Sequence, residues 1–282
     1  MHDMNERPTE ASGDSPQPGP APAAQRRARV IAVANQKGGV GKTTTTVNLA
    51  TAMAAIHKQV LVVDFDPQGN ASTGFGIDRS DRKTTSYHIL MDDLPAADAV
   101  RKTAIPGLSI VPSSVHLAGA ELELVSQPRR EFRLADALRH GGEGFDYVLI
   151  DCPPSLNLLT LNALCAADAV LVPLQVEFYA LEGLSHLVST IERVRRAFNP
   201  TLEILGVVLT MFDKRNNLSE MVAADVRAHF GDKVYQTIIP RNVRVSEAPS
   251  HGKPVLLYDW RCPGSQAYIH LASEILKREA AA

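Results

Sequence analysis

Asn35-Gln36-Lys37-Gly38-Gly39-Val40-Gly41-Lys42-Thr43-Thr44 follows the apolar run Val30-Ile31-Ala32-Val33-Ala34 and leads into Thr45 to Ile56, which reads as a helix. Strand, glycine-rich turn and helix start form the context in which a loop binds phosphate. Glycines let the backbone curl so that successive N–H groups point inward, and the helix N-terminus adds partial positive charge. In such a loop Lys42 reaches the β- and γ-phosphates of a nucleoside triphosphate, and the Thr43 hydroxyl meets Mg²⁺. One position departs from the pattern G-x-x-x-x-G-K-[ST]. Gln36 stands where the first glycine belongs, and a second lysine, Lys37, precedes the glycine pair.

Two further apolar runs end in acids. Val60-Leu61-Val62-Val63-Asp64 is followed by Phe65-Asp66-Pro67-Gln68-Gly69-Asn70, and Tyr147-Val148-Leu149-Ile150-Asp151 by Cys152-Pro153-Pro154-Ser155. Each reads as a buried parallel strand that delivers carboxylates to its C-terminal edge. Asp151 takes the Walker B position, where a carboxylate holds Mg²⁺, usually through water. Asp66, on a loop at the same edge, is placed to orient the water that attacks the γ-phosphate. Asp64 supports either Mg²⁺ indirectly or only the loop.

Outward from these stretches, Leu108 to Pro112, Ala169 to Pro173, Ile204 to Met211 and Tyr235 to Ile239 read as strands. Helices are expected over Thr84 to Met91, Pro95 to Lys102, Val115 to His140 with a break at Pro128, Leu181 to Phe198, Leu218 to Phe230 and Ser265 to Lys277. The alternation predicts a single α/β P-loop domain, its mostly parallel, doubly wound sheet covered by helices on both faces. That domain spans residues 29–282. Residues 1–28 are rich in Pro, Ala and Ser, lack periodicity, and are expected to form a disordered tail.

The composition fits a soluble protein: 282 residues, 45% hydrophobic, 21% charged, net charge −2. Any nucleic-acid binding must therefore come from a local basic patch. Cys152, Cys165 and Cys262 show no C-x-x-C spacing, which argues against a disulfide framework and a metal site. No apolar run approaches the ~20 residues that span a bilayer, and no signal peptide is expected. The expected compartment is the cytoplasm.

Lys37-Gly38-Gly39-Val40-Gly41-Lys42-Thr43-Thr44 resembles the deviant Walker A motif of the MinD/ParA group of P-loop ATPases. Asp64 to Asn70 and Asp151 to Ser155 resemble its switch segments, and Ile239 to Pro254 is similar to the ParA/Soj chromosome-partitioning branch. The resemblance covers Arg29 to Lys277. It implies an ATPase, weak alone, that forms an ATP-sandwich homodimer in which Lys37 crosses to the partner's phosphates and neutralises charge developing in the transition state. It places Gly38, Gly39, Val40, Gly41, Lys42 and Thr43 around ATP, Thr44 at the α-phosphate, and Pro240 and Asn242 at the adenine base. It further implies that the dimer binds double-stranded DNA non-specifically through Arg215 and Arg244, so that the protein associates with the nucleoid. A ParB-like partner then stimulates hydrolysis and release. No helix-turn-helix pattern precedes the domain, so operator reading is not expected. Other readings are a MinD-like membrane-recruited ATPase, for which the C-terminal amphipathic helix is missing, a cargo-positioning relative, and an iron–sulfur enzyme on the same scaffold.

Overall fold

Along the central strands, neighbouring side chains fall into two separate apolar layers. Val30, Ala32, Leu61, Val63, Val148 and Ile150 belong to one, while Ile31, Val33, Val60, Val62 and Leu149 belong to the other. This is the period-2 alternation of a strand buried on both faces, so the runs read as continuously hydrophobic. Removing each large side chain from water contributes about 1.5–3 kcal/mol.

The computed structural model describes residues 27–139 and 141–281. The first half of the chain runs β1 (Arg29–Val33), α1 (Lys42–Ala55), β2 (Val60–Asp64), α2 (Asn70–Gly74), α3 (Ser86–Met91), α4 (Ala96–Ala99), β3 (Arg101–Lys102), β4 (Leu108–Val111), α5 (Leu117–Leu124), α6 (Arg133–Arg139) and β5 (Tyr147–Asp151). It continues with α7 (Leu158–Ala166), β6 (Ala169–Gln175), α8 (Ala180–Ala197), β7 (Glu203–Phe212), α9 (Asn217–Phe230), β8 (Val234–Pro240), α10 (Val243–Glu247), α11 (Val255–Tyr258) and α12 (Pro263–Ala281). The sheet order is β3-β4-β2-β5-β1-β6-β7-β8. Every pairing is parallel except β3 with β4. The chain leaves β1 in one direction for β2 and later returns to its other side for β6. The C-terminal edge of β1 is therefore the crevice where α/β sheets bind ligands.

Helices α1 and α12 cover one face, contributing Leu49, Met53, Leu271 and Ile275. The other face is covered by α3 and α5 to α9, through residues such as Leu90, Leu134, Leu159, Leu184 and Val226. The doubly wound sheet expected from the sequence is the one observed.

Local differences have identifiable causes. The stretch Pro95 to Lys102, expected as one helix, gives only the single turn α4 before Arg101 and Lys102 pair with Ile110 and Ser109. Edge pairing overrides the local pattern there. The helical pattern over Val115 to His140 divides into α5 and α6 around Pro128, with Arg129 at φ 52 in the intervening turn; His140 lies outside the described residues. Helix α1 begins at Lys42, three residues before the expected Thr45. Of the expected tail, residues 1–26 lie outside the described residues. Ala28 is already buried, and Arg27 forms an ion pair with Asp168 at 3.3 Å.

Gly206 in β7 marks a tight approach between neighbouring strands. A Cβ there would fall 2.5 Å from Tyr235 Cε2 and 2.8 Å from the Lys233 carbonyl oxygen. The backbone oxygen cannot swing aside, so Gly206→Ala is expected to destabilise the protein by about 1–3 kcal/mol, read as a lowered denaturation midpoint at unchanged slope.

Candidate functional site

Asn35, buried at the end of β1, fixes the start of the loop. Its Nδ2 donates to the Pro173 carbonyl at 2.7 Å, and its Oδ1 accepts from the Lys37 N–H at 3.0 Å. At the far side Thr210 Oγ1 donates to the Val40 carbonyl at 2.9 Å, and the Val40 side chain is buried. Between these anchors Lys37, Gly38 and Gly39 are exposed. Gly39 and Gly41 adopt φ 77 and φ 91, the left-handed region that favours glycine.

Gly41 is also the N-cap of α1, with no side-chain cap and no acid in the first turn. The first N–H groups of this helix thus meet no protein anion, which is the arrangement that receives a phosphate. Lys42 is 7% exposed and donates from Nζ to the Lys37 carbonyl at 2.9 Å, so its ammonium lies folded under the loop. Burial lowers its pKa, with the Asp151 charge opposing.

Opposite Lys42 stand the three carboxylates. Asp64 and Asp151 occupy paired positions at the ends of β2 and β5, and both are fully buried. Asp64 Oδ2 accepts from the Ser72 N–H at 2.7 Å and from Ser72 Oγ at 2.6 Å. Asp151 Oδ1 accepts from Thr46 Oγ1 at 3.2 Å. The remaining oxygens, Asp64 Oδ1 and Asp151 Oδ2, have no hydrogen-bond partner among the described residues. Burial raises both carboxyls above the usual carboxylate range; the Asp66 charge adds to the effect on Asp64, and the Asp64 charge to that on Asp151. Asp66, 8% exposed, accepts from the Gln68 N–H at 2.9 Å. Two orphaned carboxylate oxygens beside a hydroxyl-bearing helix start suit a hard, oxygen-seeking divalent cation. Among the described residues no three His, Cys, Asp or Glu side chains form a metal site by themselves. A cation here would draw its other ligands from Thr43, phosphate and water.

Lys37, Lys42, Thr43, Asp64, Asp66 and Asp151 are thus brought to one edge of the sheet. Pro240 and Asn242 sit apart from the cleft of about 250 Å³ that adjoins Thr43 and Thr44. Its far wall is formed by Ala248, Pro249 and Lys253 to Val255, a little further along the same segment. Asn242 Oδ1 caps α10 by accepting from the Arg244 N–H at 3.0 Å. Asn48, which the sequence reading passed over, ties that wall to α1, accepting from the Val255 N–H at 2.7 Å and donating to the Thr44 carbonyl at 2.8 Å. A polar residue within a buried helical face was its only signal.

A second missed residue is Glu177, just beyond β6, whose carboxylate pairs with the Lys37 ammonium. A lone acid after a strand carries no sequence signal. Next to it Phe178 and Tyr179 are exposed, edge to face at 5.1 Å. Arg215 follows β7 and Arg244 lies on α10 beyond β8, and these strand ends are adjacent through the Phe212–Pro240 register. Arg215 forks Asp213 at 3.0 Å, while Arg244 pairs with Glu247 at 3.0 Å and Asp259 at 3.6 Å.

Residues 28–204 match the model of a family described as an AAA domain. The chromosome partitioning protein ParA of Caulobacter vibrioides (strain NA1000 / CB15N) is 64% identical over 253 residues, 89% of this chain and 95% of that protein. The sporulation initiation inhibitor protein Soj of Bacillus subtilis (strain 168) is 53% identical over 247 residues, 88% of this chain and 98% of that protein. Among solved structures, cobyrinic acid a,c-diamide synthase from Mycobacterium smegmatis with bound ADP and magnesium superposes with a TM-score of 0.79 at 36% identity, covering 90% of this chain and 96% of that one. With the phosphate-binding helix start, its paired lysines and the acid-tipped strands in place, the chain belongs to the ParA/Soj family of chromosome-partitioning P-loop ATPases.

Proposed function

We propose that the protein is a DNA-partitioning ATPase in which ATP switches a single chain into a DNA-bound homodimer. Lys37 carries this reading. A lysine that only served its own P-loop would need no exposed position ahead of the glycine pair, and Lys42 already occupies the site beneath the loop.

Lys42 and the N–H groups opening α1 hold the phosphates, and Thr43 with Asp151 holds Mg²⁺. The chemistry a bound Mg²⁺ would supply there is neutralisation of charge on the phosphate oxygens. Asp66 orients the attacking water, its carboxylate steadied by the Gln68 N–H. Thr44 stands at the α-phosphate. Pro240 and Asn242 frame the base, on the segment that leads into the far wall of the adjoining cleft. The Lys37–Glu177 ion pair involves a half-exposed ammonium, and pairs of that kind contribute only about 0–1 kcal/mol. Exchange of Glu177 for a partner's phosphates therefore costs little. The exposed Phe178–Tyr179 pair beside it supplies apolar surface for a second copy.

Arg215 and Arg244, beyond the adjacent ends of β7 and β8, form the non-specific DNA surface, exchanging intramolecular carboxylates for backbone phosphates. A ParB-like protein stimulates hydrolysis, contacted by the N-terminal tail that precedes the ATPase domain. The active dimer resides on the nucleoid in the cytoplasm. No described helix is long and apolar enough to cross a membrane.

The deciding experiment measures ATP hydrolysis by the full chain alone, with duplex DNA, and with DNA plus the ParB-like protein encoded beside it. Low activity that rises only with both supports the assignment, and activity indifferent to both contradicts it. Asp66→Ala is expected to bind ATP with little change and to lose at least tenfold in hydrolysis rate, remaining on DNA in a pelleting assay; a normal rate refutes the role of Asp66. Arg244→Glu is expected to lower DNA retention across a salt titration while ATP-dependent dimerisation, read by light scattering, persists. Asp151→Asn removes a buried, half-satisfied charge facing Asp64. It is expected to raise the stability of the nucleotide-free protein by about 1–2 kcal/mol in denaturant titrations.

A further inference from the structure

Behind the Asp66 loop lies a second concave surface with a strong charge bias. A cavity of about 310 Å³ opens between Pro67 and Gln68 of that loop, the short turn Arg79–Asp81, and residues 113–116 beyond β4. Its lining carries Arg79, Arg82, Lys83, His88 and His116 and no carboxylate. None of the ion pairs formed among the described residues engages Arg79, Arg82 or Lys83.

Arg82 is nine-tenths buried, yet every acceptor of its guanidinium is neutral. Its Nη1 donates to the Gly69 carbonyl at 3.2 Å and to the Ser113 carbonyl at 3.4 Å. Nη2 reaches Thr73 Oγ1 at 2.9 Å and the Ile77 carbonyl at 2.8 Å, and Nε the same carbonyl at 3.2 Å. Asp64 and Asp78 act on it only at a distance. On the wall of the same cavity, the hydroxyl of fully buried Ser113 has no hydrogen-bond partner among the described residues. A buried cation without a counter-ion and an unsatisfied hydroxyl both favour an anion. Guanidinium groups suit the tetrahedral oxygens of phosphate in particular.

We propose that this cavity is an anion site for a small phosphate-bearing ligand, separate from the triphosphate on the P-loop and coupled to the Asp66 loop through Arg82. Its volume is at the small end of ligand pockets and takes a phosphate or pyrophosphate group, not a duplex. The coupling is steric as well as polar. Gly69 holds φ 66, and a Cβ on it would lie 2.2 Å from Arg82 Nη1, so the guanidinium rests directly on the loop. The Gly69 N–H in turn donates to the Asp66 carbonyl at 2.9 Å. An anion that draws the guanidinium toward the cavity releases Gly69 and shifts Asp66 with it.

The test uses the full chain carrying Lys42→Ala, which removes the competing P-loop site, titrated with inorganic pyrophosphate by calorimetry and followed by the imidazole Cε1–H resonances of His88 and His116. The expected result is saturable binding that shifts both resonances and weakens at least tenfold when Arg79→Ala and Lys83→Ala are added. Both added substitutions lie at exposed positions, and circular dichroism checks that the fold is retained. No binding, or binding that survives the double substitution, overturns the proposal. A parallel titration with short duplex DNA separates the sources of phosphate. If the double substitution weakens duplex binding and leaves pyrophosphate binding unchanged, the surface is a nucleic-acid contact and the proposal fails. Because the probe requires no hydrolysis, the outcome is independent of the ATPase reading.

Discussion

The unsatisfied charge buried at the edge of the sheet constrains the rest of the molecule. Asp64 and Asp151 end neighbouring strands in register, fully buried, each with one oxygen unpartnered. Lys42 lies close by under its own loop, its charge opposed by burial. Like charges this deep are costly, and a fold keeps them only where a ligand completes the set. On the proposed reading, a divalent cation with a polyphosphate would supply the missing positive charge to the acids and the missing negative charge to the lysine and helix start. The apolar layers on both faces hold these groups in place.

Lys37 and Glu177 extend that logic to a second chain. Lys42 is committed to its own site, whereas Lys37 stands in solvent and is held by a single half-buried acid. The pair satisfies the lysine in the isolated chain at little energetic cost, and the neighbouring exposed aromatics present apolar surface at the same place. On the proposed reading, partner exchange at Lys37, completion of charge at Asp151 and water orientation at Asp66 all depend on the same loops at one sheet edge.

Much of this was legible in the sequence because it rests on local chemistry. The P-loop, the acids at the strand ends and the alternation of strands with helices are written in runs of adjacent residues. Helix α7 went unread because Leu158 to Ala166 is apolar nearly all round, with Leu159, Ala163 and Leu164 buried alongside Thr160 and Asn162, so it shows no amphipathic period. The two-residue strand β3 was read as helix because its pairing with Ile110 and Ser109 is a tertiary event. Glu177 meets Lys37 across 140 residues, Asn48 meets Val255 across 207, and Arg82 meets Ser113 across 31. Such separations leave no mark on a local pattern.

The central claim is that a metal–nucleotide complex completes the buried charge set. Thermal unfolding of the full chain with a non-hydrolysable ATP analogue, in Mg²⁺ and in EDTA, tests it most directly. Preferential binding to the folded state raises the melting temperature through mass action. The account predicts a clear rise with analogue and Mg²⁺ together, at least twice that seen with the analogue in EDTA. Equal stabilisation in EDTA would contradict it, because the orphaned carboxylate oxygens would then have no part in holding the ligand.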